Sequence, residues 1–135
     1  MTRSRFLGVS MFIIASLAFV TSLVVTLSAD VGDVTVTAKP ESFAGQCPVT
    51  IKFTGTIQVL SYPMSFNYQW ERSDGVKGQV RVVHVPNAKT RTVTVVDYWK
   101  VGSKGKNLEV WEKLHVNCGN THIVGGPASS SINCR

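Results

Sequence analysis

From Val34 onward the apolar residues of this chain recur at every second position, and no segment after Leu27 carries a helical stripe. Val34 and Val36 alternate with Thr35 and Thr37, while Val49, Ile51 and Phe53 alternate with Thr50, Lys52 and Thr54. Phe66, Tyr68 and Trp70 likewise alternate with Asn67, Gln69 and Glu71. Successive side chains of an extended backbone point to opposite sides, so this pattern buries one face and wets the other. Half-buried strands are what it predicts.

Turn residues divide the pattern: Lys39-Pro40, Tyr62-Pro63, Asp74-Gly75 with Gly78, Val85-Pro86-Asn87, Gly102 with Gly105, and Gly125-Gly126-Pro127. Between them the sequence predicts about seven strands, at 34–38, 49–58, 64–72, 79–85, 91–99, 108–116 and 128–134. About seven short strands in roughly 100 residues is the signature of an all-β sandwich.

The start of the chain has a different character. Arg3 and Arg5 precede 22 residues without a charge, Phe6 to Leu27, and Leu27-Ser28-Ala29 offers small residues for cleavage before Asp30. A basic start, an apolar middle and a small-residue exit define a secretory signal, so residues 1–29 read as a signal peptide. The apolar run also reaches the ~20 residues that span a bilayer, so an uncleaved anchor through residues 6–27 is the alternative. Both readings place residues 30–135 outside the cytoplasm, as one domain. Without residues 1–29 the chain keeps 12 basic and 8 acidic residues, a net charge of +4. That mild, scattered charge and the exported location disfavour nucleic acid as a partner. An unknown protein or a cell-surface polymer is the partner expected instead.

The run from Cys47 to Ile57 (Cys-Pro-Val-Thr-Ile-Lys-Phe-Thr-Gly-Thr-Ile), the run Tyr68-Gln69-Trp70-Glu71-Arg72-Ser73-Asp74-Gly75, Thr92-Val93-Thr94-Val95 with Trp99, and Trp111 with Leu114-His115-Val116 carry a resemblance. Together they resemble an immunoglobulin-like domain of uncharacterised secreted bacterial proteins. The resemblance spans nearly all of residues 30–135 and implies fold, not activity. It places Trp70 between the two sheets. Trp111 falls out of phase with Leu108, Val110, Leu114 and Val116. A bulge near Glu112 would turn it inward, and without one it is a surface aromatic.

In an immunoglobulin-like sandwich the first and last strands run the same way. The resemblance therefore implies a disulfide between Cys47 and Cys134, leaving Cys118 at the opposite pole. Cys118 is then buried, free at the surface, or the link in a Cys118-linked dimer.

Few residues suggest chemistry. His115, Cys118 and His122 are candidate metal ligands, since two imidazoles and a thiol suit zinc or copper. Tyr98, Trp99 and Trp111, with Lys100, Lys104 and Lys106 nearby, are candidates for a binding face, and Tyr62 joins them. No nucleophile elbow or zinc-protease helix occurs, and the carboxylate pairs Asp30/Asp33 and Glu109/Glu112 do not look placed for acid–base work. The reading is a non-enzymatic interaction or structural module needing no cofactor. The alternatives are a metal- or thiol-redox protein centred on Cys118, and an inhibitor of an extracellular hydrolase using a loop at 73–78.

Overall fold

The computed structural model describes residues 30–135; the signal or anchor segment read at 1–29 lies outside the described residues. The described residues form eight strands: β1 (Val31–Lys39), β2 (Ser42–Gly45), β3 (Val49–Val59), β4 (Met64–Arg72), β5 (Arg81–Val85), β6 (Thr92–Val101), β7 (Asn107–Cys118) and β8 (Thr121–Cys134). They make a three-stranded sheet in the order β1-β3-β6 and a five-stranded sheet in the order β2-β8-β7-β4-β5. Every pairing is antiparallel except β2 with β8.

Alternation decides what each sheet buries. Ile51, Phe53 and Ile57 of β3 face Phe66 and Trp70 of β4 and Leu114 and Val116 of β7, and all seven are buried. Gly55 shares the inward row of β3, where a Cβ would stand 2.4 Å from Leu114 Cδ2. The missing side chain lets Leu114 press onto the opposite sheet. The apolar layer between sheets is the main source of stability in such a fold.

One strand beyond the seven predicted is present. The chain leaves β1 at Lys39, turns at Pro40 and pairs again as β2 with the other sheet. The corner is tied down by Ser130, whose buried hydroxyl donates to the Pro40 carbonyl at 2.6 Å, and by the Ser131 amide, which donates to the Glu41 carbonyl at 2.9 Å. Four residues are too few for an alternation signal, which is why β2 is not legible in the sequence.

The last strand is also longer than predicted, starting at Thr121 instead of 128. Gly125-Gly126-Pro127 is a bulge within β8, not a turn. Glu112 pairs with Ala128 and Leu114 with Gly125, so β8 carries one residue more than β7 over this step. Gly126 takes a φ of 85°, open to glycine at no steric cost, and Pro127 sits where the ladder is interrupted.

Cys47 and Cys134 are joined by a disulfide with a Cα–Cα distance of 5.4 Å, closing the pole where β3 begins and β8 ends. Cys118 lies at the other pole, beside the β7–β8 turn.

Candidate functional site

Because the extra residue lies on β8, the phase of β7 runs unbroken through the bulge. Val110, Glu112, Leu114 and Val116 all point inward and are buried. The bulge foreseen near Glu112 therefore does not turn Trp111 inward. Trp111 stays on the outer face, half-buried, with the Lys113 ammonium 5.0 Å from its ring centroid. What the phase does bury is a carboxyl group, and Glu112 is the feature that the sequence reading missed.

Glu112 is fully enclosed between the sheets. Its Oε1 accepts from Arg72 Nε at 3.3 Å, and its Oε2 has no hydrogen-bond partner. Arg72, directly across the ladder on β4, also reaches Asp97 of the facing sheet at 3.7 Å and lies 5.0 Å over the Trp99 ring. Burial pushes the Glu112 carboxyl up to about 8; Asp97 pushes it the same way, and Arg72 pulls it back. Glu112 and Asp97 thus share one cation, the Arg72 guanidinium, which touches both. This arrangement is a charge-balanced strut between sheets, and its carboxyl is sealed from solvent.

On the outer face of the same sheet a polar chain crosses three strands. His115 Nε2 of β7 stands 3.4 Å from Glu71 Oε2 of β4, in ion-pair reach, and its Nδ1 is 3.2 Å from His122 Nε2 of β8. His122 Nδ1 contacts Asn117 Oδ1, and Asn117 Nδ2 donates to Asn67 Oδ1 at 3.1 Å. His115 and Glu71 are partly covered, whereas His122 is exposed.

Cys118 does not belong to this chain. Two residues after Val116 it points to the inner side, with Sγ 3.6 Å from the Ser65 carbonyl oxygen and 3.9 Å from Asp30 Oδ2. The three-ligand set of His115, Cys118 and His122 is thus split by the pleat, and among the described residues no three His, Cys, Asp or Glu side chains converge on one point. Desolvation raises the Cys118 thiol pKa, and the nearby Asp30 carboxylate raises it further. A redox or nucleophilic thiol needs the opposite shift.

The predicted aromatic face is dispersed too. Tyr98 is exposed on the outer side of β6, Trp99 points inward onto Arg72, and Trp111 lies on the outside of the other sheet. Alternation sends neighbours 98 and 99 to opposite sides. Tyr62 is part-buried, its hydroxyl donating to the Thr90 carbonyl. Lys104 and Lys106 lie in the turn beside the disulfide. The 73–78 loop is a compact turn that spends its backbone on itself: Gly75 N–H donates to Arg72 O, Arg72 N–H to Val76 O, and Gly78 N–H to Trp70 O. It offers no extended stretch to a hydrolase cleft.

An open groove lies at the side of the sandwich. β6 is the outermost strand of its sheet, and β5 covers β4 only as far as Tyr68. Between them lies a groove of about 390 Å3 lined by Tyr68, Trp70, Gln79, Arg81, Val96 and Asp97 among others. Trp70, one of its lining residues, has a buried Nε1 without a hydrogen-bond partner.

Two sheets packed face to face, with a first strand that changes sheets, define an immunoglobulin-like β-sandwich. No family model and no curated protein matches the sequence. Among solved structures, the chain is similar to the CARDB domain of a Pyrococcus furiosus protein, determined in complex with di-metal ions. The TM-score is 0.54 at 14% identity, over 80% of this chain and 99% of that one. This likeness is one of fold.

Proposed function

We propose that the chain is an exported, non-enzymatic immunoglobulin-like module that binds a protein partner by strand addition at β6. The observation that carries this reading is the β6 edge itself. It is ten residues long, terminal in its sheet, and presents Val96 and Tyr98 at 39% and 60% exposure beside the groove. A long edge strand offers unpaired backbone groups to another chain, and exposed side chains on alternate positions give the contact its selectivity. Export is supported by the Cys47–Cys134 bridge, since disulfides persist in oxidising compartments. Amino-terminal sequencing of the exported protein tests the segment assignment, with Asp30 as the expected first residue of a cleaved form.

Photo-crosslinking tests the binding reading. A photoreactive residue at position 98 of the full chain, expressed in its native host, is expected to give one discrete protein adduct. The same probe at position 41, beside β2 at the opposite side of the molecule, is expected to give none. Equal labelling from both positions, or none from position 98, would overturn strand addition at β6.

A further inference from the structure

We propose that His115 and His122 form a surface site for a divalent transition-metal ion, with His115 Nδ1 and His122 Nε2 as its two protein ligands and Glu71 and Asn117 orienting the rings. This inference does not depend on the strand-addition reading. It starts from what each ring nitrogen faces. His115 Nε2 lies 3.4 Å from the Glu71 carboxylate without hydrogen-bonding to it; a proton on that nitrogen faces an acceptor-only group and leaves the Nδ1 lone pair free. Asn117 donates its amide to Asn67, which turns its oxygen toward His122 Nδ1. His122 Nδ1 is therefore the donor, and Nε2 keeps its lone pair. The two remaining lone pairs meet 3.2 Å apart.

Without a metal the two nitrogens share a proton in a hydrogen bond, and a metal ion can take the place of that proton between the same two lone pairs. Nitrogens held at about 2.0–2.1 Å from a tetrahedral ion stand about 3.3–3.4 Å apart, close to the observed spacing. Carboxylate or amide groups on the far nitrogen of each imidazole are the usual means of fixing tautomer and ring orientation at metal sites. Here both are present, on three neighbouring strands of one sheet. Because His122 is exposed and no third ligating side chain converges, water fills the remaining positions, and binding is readily reversible. Imidazole donors suit copper, nickel and zinc, with copper(II) bound most tightly.

The site also explains the split of the metal set expected from the sequence. Residues 115 and 122 are diagonal neighbours on the outer face, whereas Cys118 belongs to the inner one. The thiol is predicted to play no part.

The experiment is a copper(II) titration of the purified, metal-free full chain, read by calorimetry and by electron paramagnetic resonance. One saturable site per chain is expected, with hyperfine structure from two nitrogens, and zinc(II) should compete for it. His122→Ala should remove the site, while His84→Ala and Cys118→Ser leave it intact. Asn117→Leu should weaken it by about tenfold, the scale of losing a ligand's orienting partner. The unfolding temperature of each variant without metal shows that it is folded; His122, being exposed, should not change it. Absence of a saturable site, binding that survives His122→Ala, or binding lost in Cys118→Ser would overturn the assignment.

Discussion

The two faces of the five-stranded sheet carry polar groups under opposite conditions. Inside, the fully buried Glu112 meets the partly exposed Arg72 and Asp97, and burial holds the proton of its carboxyl far above the ordinary range. Outside, one residue further along the same pleat at each step, Trp111, Lys113, His115 and Asn117 stand partly in solvent, Lys113 over the Trp111 ring and His115 and Asn117 against side chains of neighbouring strands. The same alternation sets both outcomes. Groups on the inner face fix how the sheets stack, whereas groups on the outer face remain accessible to a ligand.

The comparison is broken most severely from the inner side. Cys134→Ser removes the bridge that closes an 87-residue separation and should cost about 4–5 kcal/mol in the chain-entropy account. Urea unfolding of the oxidised wild type and the variant measures it, and a difference near zero would show that the pole is held by packing alone. Leu114→Ala, at a fully buried position against Gly55, should cost about 2–5 kcal/mol. Its neighbour on the other face gives the contrast: His115→Ala, which loses one partly covered hydrogen bond and no core packing, should cost about 1 kcal/mol. Comparable losses at both positions would mean that the faces are not sorted as described.

Glu112 sharpens the contrast through pH. Its folded pKa is raised from 4.5 to about 8, so the native state holds a proton that the unfolded state has released between these values. Stability should accordingly fall as pH rises from about 4.5 to about 8, by a few kcal/mol in total. Glu112→Gln, which cannot ionise, should flatten this slope and be more stable than wild type at pH 8 and above. Thermal melts across the pH series would show it, and an unchanged slope would remove Glu112 as its cause. A small effect belongs outside: Lys113→Ala loses a cation–π contact with Trp111 worth about 0.5 kcal/mol at a partly exposed site, read by urea unfolding.

Much of this was written in the alternation. The β3, β4 and β6 strands fall close to their predicted bounds because β-branched and aromatic residues repeat there without interruption. The bulge in β8 is not legible, since Gly-Gly-Pro marks a turn in most settings and only the pairing with β7 shows where the extra residue goes. The burial of Glu112 was legible in principle, because it shares the phase of Val110 and Leu114, but a charged residue carries no apolar signal to mark it. The candidate metal set failed for a related reason. Sequence spacing joins His115, Cys118 and His122, and the pleat separates them.

β7 keeps one phase from Val110 to Val116 and so seals Glu112 between the sheets. Carbon-detected NMR titration of the Glu112 side-chain carboxyl tests it most directly. A midpoint near pH 8 is expected; a midpoint near 4.3, the value of an exposed glutamate, would contradict it.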